Sequence, residues 1–492
     1  MPDDVVRPRR AGAALWTTAL DRNSPVPLSR QLAAALRRAV AEGGFSAGAR
    51  LPSTRALSGS LRLARSTIVA VFEQLAAEGY IEARPGSGYF VPAPSAPAGP
   101  PAAAHESPAA PRPLSRHGEK LRDVPLPWRT TPRPFESGHA DIDPRLIATW
   151  KHLASRALSG RSRLSWGYGD PQGEPALRQA IAEYLAAARG VRCRAEQIVV
   201  TSGTQQGLSL AARLLLDPRD PAWVEDPCYR SAFDILRAAE ARIVPVRVDE
   251  QGLDIAAAPP NEPAPRLVYT TPSRQYPLGM AMKLPRRMAL LAWTEAAGAW
   301  IVEDDYESEF QHPSRMLPAL QGLDRAGRVI YLGTFSKLLF PSVRLGYAVL
   351  PEDLVQPFAA ARHLADRQSP ALLQTIMTDF ILDGHFARHL KRMRAVYAER
   401  QEFLADRLAH RLGDLVHVEP RECGMYLTAW LHRHNDDRAV ADALAATGVI
   451  AVPLSTLTLA TPRPPGLVLG YAGHSEAALA RAVERMAKAL GA

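Results

Sequence analysis

Apolar residues recur at helical spacing early in the chain. Leu28, Leu32, Leu36 and Val40 form one stripe in "PLSRQLAAALRRAVAEGGF", and the glycine pair that follows can cap the helix end. "LPSTRALSGSLRL" predicts a short helix with a Ser/Thr cap, and "ARSTIVAVFEQLAAEGY" a second whose buried face is Ile68, Val71, Phe72 and Leu75. "YIEARPGSGYFV" then alternates as a hairpin about Pro85-Gly86-Ser87-Gly88. Beyond about residue 134 the pattern changes. Helical stretches alternate with short apolar runs, among them "QIVVTSG", "PAWVEDP", "RLVYTTP", "AWIVEDD" and "RVIYLGT". Such alternation predicts an α/β body with a mostly parallel sheet, helices on both faces and ligands at the strand C-termini.

Between the two patterns, residues 92–113 hold eight prolines in 22 positions, which excludes a helix interior or a central strand and reads as a semi-extended linker. Three parts are therefore expected: a head over 20–91, a Pro/Ala-rich linker over 92–134 and a body over 135–492. Charge separates head from body. Residues 1–134 carry 18 Lys/Arg against 10 Asp/Glu, whereas the remainder carries 41 against 40. A basic head on a neutral body implies a polyanionic partner for the head. Cys193, Cys228 and Cys423 are scattered and lack metal-ligand spacing, so neither a zinc site nor a disulfide framework is expected and a reducing cytoplasm is. The first residues lack the apolar core of a signal peptide, and no apolar run is long enough to span a bilayer.

Two short helices, the second opening on Arg65-Ser66-Thr67, match a helix-turn-helix, in which the start of the second helix meets base edges. A glycine-tipped hairpin after it would form a wing able to approach phosphate closely. On "RLPSTRAL", "RSTIVAVFEQLAAEGYIE" and "GSGYFV", residues 25–91 resemble the winged helix of the GntR family of bacterial transcription regulators. The resemblance implies double-stranded operator DNA as partner, with Arg55, Arg65, Ser66 and Thr67 as contacts and Gly86 in the wing. Val69 departs from it, standing where some relatives carry a further basic contact.

In the body, Lys337 lies in the apolar run "YLGTFSKLLFPSVRLGY", where an amine is costly to desolvate. Asp304 ends an apolar strand beside Glu303 and Asp305, both expected to be solvated, with Tyr306 next. Ser202-Gly203-Thr204-Gln205 joins a strand to a helix and can offer N–H groups to a phosphate. A lysine can bond to an aldehyde, a carboxylate can hold a pyridinium nitrogen protonated, a phenol can meet a ring hydroxyl, and an arginine can clasp a phosphate. Together these point to pyridoxal 5′-phosphate. "YGDPQG", "VEDPCY", "EDDYESEF" and the lysine stretch resemble fold-type I, class I aminotransferases over about 135–490, with a small C-terminal α+β subdomain implied. The whole chain resembles the MocR subfamily of GntR regulators. That resemblance implies Lys337 as the Schiff-base lysine, Asp304 at the pyridine nitrogen, Tyr306 near the ring hydroxyl and Tyr229 stacked on the ring. It implies Ser202, Gly203, Thr204, Gln205, Thr334, Ser336 and Arg344 around the phosphate. Tyr168 would reach the phosphate of the partner subunit in a homodimer, typically head-to-tail.

Two departures bear on function. Tyr276 replaces the usual asparagine of the Asn-Pro-x-Gly turn, and Val468 stands where aminotransferases place the arginine that holds a substrate α-carboxylate. Either the effector lacks that group or another cation serves, Arg274 being one, unless it only braces a backbone or acidic neighbour. His474 and His432–Asp436 read as surface residues. The expected function is a cytoplasmic, pyridoxal-phosphate-dependent regulator whose effector is an amine or the cofactor itself, with vitamin B6 supply or amino-compound metabolism as targets. The alternatives are a working aminotransferase carrying a DNA-binding appendage and a DNA-binding protein with a degenerate body.

Overall fold

A computed structural model describes residues 20–92, 112–122, 124, 131–159, 166–259, 262–311, 317–419 and 424–491. Contacts divide the chain into two units, Met1–Pro113 and Leu114–Ala492. Most of the expected linker, and Cys423, lie outside the described residues.

In the first unit the helix Leu28–Ala41 buries Leu32, Ala33 and Leu36, and Gly44 closes it by donating to the Ala39 carbonyl at 2.8 Å. Leu28 and Val40, predicted on the same stripe, are half-buried. Helix Thr54–Leu61 begins at Ser53, whose hydroxyl accepts from the Ala56 N–H at 3.2 Å, a cap of the expected kind. The next helix, Arg65–Ala77, buries Ile68, Val71, Phe72 and Leu75, the predicted face, so the opposite face carries Arg65 and Ser66 into solvent. Strands β1 (Glu82–Arg84) and β2 (Gly88–Phe90) pair antiparallel as the wing. The Tyr89 ring meets Phe72 edge-on at 4.9 Å, which fixes the hairpin against that helix.

The second unit is built on eight strands in the order β3-β10-β9-β8-β7-β4-β5-β6. These are β3 (Ile198–Thr201), β4 (Pro221–Asp226), β5 (Arg242–Asp249), β6 (Gly252–Leu253), β7 (Leu267–Thr270), β8 (Trp300–Asp305), β9 (Val329–Thr334) and β10 (Gly346–Val349). Strands β9, β8, β7, β4 and β5 run parallel, and every residue of β7, β8 and β9 is buried. Apolar packing on both faces explains why they read as continuous apolar runs without alternation. Strand β10 runs antiparallel to both neighbours, with Gly346 opposite Thr201 of β3 and Thr334 of β9. It therefore starts at the level where β3 and β9 end, which brings Arg344 to the edge that carries the turns after those strands. A four-stranded antiparallel sheet follows in the order β11-β12-β14-β13, from β11 (Val416–Val418), β12 (Tyr426–Leu431), β13 (Val452–Pro453) and β14 (Gly466–Gly470), the α+β subdomain.

Three side chains expected in solvent are buried. Asp305 accepts from Arg189 Nε at 2.9 Å and from the Tyr331 hydroxyl at 2.8 Å, so its charge is met by a buried guanidinium. Glu303 accepts from the N–H groups of Leu320 and Gln321, each at 2.8 Å. His474 is also enclosed, beside the segment that holds Glu136 and His139. Acidic residues at a strand end are tolerated inside when donors from distant segments reach them.

Candidate cofactor site

The C-terminal ends of the strands open into a cavity of about 300 Å³. Its wall contains Gly203, Thr204 and Gln205 from the turn after β3, Tyr229 beyond β4, Tyr269 in β7, Asp304 in β8, Thr334, Ser336 and Lys337 at the end of β9, and Arg344 before β10. Ser137, Gly138, Thr271, Tyr276, Glu307, Pro341, Met425 and Tyr426 complete it together with Tyr306. Ten of the residues expected at a cofactor thus share one cavity with Lys337 counted among them.

Lys337 Nζ donates to the Gly138 carbonyl at 3.0 Å. Burial lowers its pKa, while the Glu307 and Asp304 carboxylates raise it and Arg344 lowers it further. The outcome is an amine that loses its proton more readily than an ordinary lysine. Asp304 is 5% exposed, accepts from the Tyr269 hydroxyl at 2.7 Å through Oδ2, and has no protein partner at Oδ1. Burial pushes its pKa up to about 7 against the pull of the Tyr269 hydrogen bond. The Ser336 hydroxyl is likewise buried without a partner. Buried polar atoms left open are uncommon in native interiors and point to a ligand with complementary groups.

One end of the cavity lies at the start of helix Thr204–Leu215. Gly203 precedes it at φ 128, a conformation that favours glycine, and a Cβ there would lie 3.8 Å from Arg344 Nη1. No side chain caps this helix, which begins directly after the glycine that lies beside the guanidinium. Gln205 donates to the Tyr229 hydroxyl at 3.2 Å, tying that ring to the same end. The donor set fits pyridoxal phosphate: an amine, an open carboxylate oxygen at a distance from it, and an arginine beside a helix N-terminus.

Three expected residues stand elsewhere. Ser202 is outside the wall, its N–H donating to Gln206 Oε1 at 2.9 Å. Tyr168 is 81% exposed, with the Arg367 guanidinium 4.6 Å from its ring centroid. Arg274 is buried behind the wall, its Nε 2.6 Å from Glu307 Oε1 and its Nη2 donating to the Tyr426 carbonyl at 3.0 Å. The Tyr306 hydroxyl contacts the Arg274 carbonyl at 3.1 Å and the Tyr426 hydroxyl at 2.8 Å. Sequence reasoning missed Tyr269, Glu307 and Tyr426 as wall residues. The apolar-run ending of "RLVYTT" was a usable signal for Tyr269, the neighbour of Tyr306 for Glu307, and nothing local for Tyr426.

In the first unit Arg55, Arg65 and Ser66 are exposed and Thr67 is half-buried. Helix Arg65–Ala77 has no side-chain cap, and Gly86 takes φ 72 at the exposed wing tip. Arginines, a hydroxyl and free helix-start N–H groups thus lie on one continuous stretch of sequence, as a major-groove reader requires.

Comparison with known proteins agrees with both halves. Residues 28–91 match the bacterial regulatory proteins of the gntR family, and residues 135–486 match aminotransferase class I and II. A probable rhizopine catabolism regulatory protein, MocR, of Rhizobium meliloti is 40% identical over 92% of this chain and 92% of its own. The pyridoxine biosynthesis transcriptional regulator PdxR of Corynebacterium glutamicum is 31% identical over 93% of this chain and 95% of its own. Among solved structures, the α-aminoadipate aminotransferase LysN of Thermus thermophilus, complexed with N-(5′-phosphopyridoxyl)-L-leucine, superposes with a TM-score of 0.66 at 29% identity, covering 73% of this chain and 91% of that one. With an aminotransferase fold behind a winged helix and relatives of the same two-part build along nearly its whole length, the chain belongs to the MocR-type branch of the GntR family of transcription regulators.

Proposed function

We propose that this regulator binds pyridoxal 5′-phosphate in the cavity at the sheet's C-terminal edge and that an amine effector entering the same cavity alters its hold on operator DNA. The observation that carries the reading is the convergence of Lys337 and the half-open Asp304 carboxylate in one cavity, on a chain that also bears a winged helix. When bound, the cofactor supplies an aldehyde for a primary amine and an electron-drawing pyridinium ring. Lys337, whose pKa burial lowers, would offer that aldehyde an amine that gives up its proton more readily than an ordinary lysine. Asp304 Oδ1 would hold the proton at the ring nitrogen, and Tyr269 keeps the carboxylate oriented by donating to Oδ2. Tyr229 would stack on the ring and Tyr306 would meet its hydroxyl, both from the cavity wall. Gly203, Thr204, Gln205, Thr334, Ser336 and Arg344 bind the phosphate, with Ser202 supporting the turn.

The exposed Tyr168 is proposed to complete the phosphate site of a second subunit, which makes the working form a homodimer, head-to-tail as in its resemblance group. Arg55, Arg65, Ser66 and Thr67 contact the operator and Gly86 lets the wing approach the backbone. Binding to chromosomal DNA places the protein in the cytoplasm. The relative named for rhizopine catabolism is more similar than the one named for pyridoxine biosynthesis, which favours control of a catabolic function over control of cofactor supply.

Crossing two variants tests the reading. Lys337→Ala should abolish the visible absorbance of cofactor-loaded protein and the effector's influence on operator binding, while Arg65→Ala should leave absorbance intact and weaken operator binding. Loss of operator binding in the first but not the second contradicts it. The working-aminotransferase reading is separated by single-turnover spectroscopy with amino acids: sustained conversion with keto-acid regeneration would establish turnover.

A further inference from the structure

The cavity wall remote from the phosphate end indicates what kind of amine it accepts. Val468, at the position where the aminotransferase pattern carries its carboxylate-binding arginine, pairs with Thr428 in the small sheet and is fully buried. It packs with Tyr426 and Leu457, and Tyr276 and Tyr306 lie against that cluster. An aromatic wall backed by apolar side chains thus fills the place of a cation.

Arg274 does not take over that task. Its guanidinium is held between Glu307, the Tyr426 carbonyl and the Tyr426 ring, whose centroid lies 5.0 Å from Cζ. Gly424 closes over it so tightly that a Cβ there would come within 2.5 Å of Nε and 2.7 Å of Cζ. A guanidinium wedged under backbone and committed to a buried carboxylate cannot turn to a ligand without leaving Glu307 uncompensated.

What Tyr306, Tyr426 and Glu307 offer on this side of the wall is acceptors. Tyr306 and Tyr426 have one hydroxyl proton each, and three acceptors claim them: the Arg274 carbonyl at 3.1 Å, the Gln275 carbonyl at 3.3 Å, and each other at 2.8 Å. Their remaining capacity is lone pairs. Glu307 adds a carboxylate, with Oε2 accepting from the Met425 N–H at 3.1 Å. Tyr276, hydrogen-bonded to the Ser137 side chain, is a neutral phenol and no substitute for a guanidinium fork. A ligand carboxylate is acceptor-only and would face those lone pairs and a carboxylate whose charge Arg274 already pairs, whereas hydroxyls donate to both.

We infer that the effector is an amino alcohol: a primary amine whose other polar groups are uncharged hydroxyls, with no carboxylate. This rests on the cofactor-site reading given above. The test uses full-length protein loaded with pyridoxal phosphate, with loading scored by absorbance before any titration, so that failure to load counts against the site reading and not against this inference. Serinol and serine differ by one hydroxymethyl in place of a carboxylate, and 3-aminopropanol and β-alanine form a second pair that differs in the same way. Calorimetric titration should show each amino alcohol binding about tenfold or more tighter than its carboxylated counterpart. Glu307→Gln should narrow the gap by improving serine. Equal or tighter binding of the carboxylates to the wild-type protein overturns the inference, as does a loaded protein that binds neither member of either pair. The wild-type titrations decide the matter even where the variant does not fold.

Discussion

The Tyr269 hydroxyl donates to Oδ2 of Asp304 over 2.7 Å, and Oδ1 of the same carboxylate has no protein partner. One oxygen is anchored by the sheet and the other is left open at the cavity. Such division orients an acid that must meet a ligand atom in one direction, and it also leaves that acid expensive to ionise while the cavity lacks its ligand.

Asp304→Asn should therefore stabilise the cofactor-free protein while weakening the cofactor's hold. The folded pKa is raised to about 7, above the unfolded value. Between those values the folded state binds more protons than the unfolded one, so the group's contribution to stability falls as pH rises through that window. Thermal unfolding of cofactor-free protein should show the variant more stable at about pH 8, by an amount of the order of a few kcal/mol, and the difference fading toward about pH 4. Equilibrium dialysis should show weaker pyridoxal phosphate binding in the same variant.

Arg344→Ala should act on the phosphate and spare the aldehyde end. Its guanidinium stands across Gly203 from the start of helix Thr204–Leu215. A charge-assisted contact of this kind contributes about 1.5–3 kcal/mol, so the preference for pyridoxal phosphate over pyridoxal should fall by roughly 10- to 100-fold. Competition between the two aldehydes for the loaded absorbance band measures it.

Much of this site was legible because functional groups of a parallel sheet cluster where its strands end. Asp304, Lys337 and the turn after β3 each follow an apolar run, and each reaches the cavity. Arg344 needed the antiparallel β10, whose direction no local pattern reveals. Glu303 and Asp305 were misread because the donors that allow their burial, Leu320, Gln321 and Arg189, come from other segments. Tyr426 was invisible for the same reason. It lies in the small sheet, 120 residues from the Tyr306 hydroxyl it touches. Two-residue patterns report secondary structure; contacts across such separations depend on the packing of one sheet against the other.

Arg65→Ala should weaken operator binding and change its salt dependence in a way that identifies the contact. Arg65 is exposed at the start of an uncapped helix. A base contact costs about 1–3 kcal/mol and relaxes preference at one position, whereas a phosphate contact weakens all sequences alike and reduces the salt slope by about one. Fluorescence anisotropy with specific and scrambled duplexes across a salt series separates the two. Binding unchanged on both duplexes would remove Arg65 from the interface.

The pH profile of cofactor capture should follow the charges around Lys337 in both directions. Burial lowers its pKa below the ordinary lysine value, and the neutral amine is the form that reacts, so capture should persist to lower pH than with free lysine and fail as pH falls through the depressed value. Because the folded state binds fewer protons than the unfolded one between those values, this group's contribution to stability rises with pH across the same window. Glu307 and Asp304 oppose the depression and Arg344 adds to it. Glu307→Gln should accordingly move the midpoint of capture to lower pH, and Arg344→Ala to higher pH. Stopped-flow absorbance across a pH series reads the midpoint directly. Opposite shifts from the two variants are the signature of charge acting on one amine. Loss of fold or of phosphate affinity alone would lower the amplitude in both and move neither midpoint.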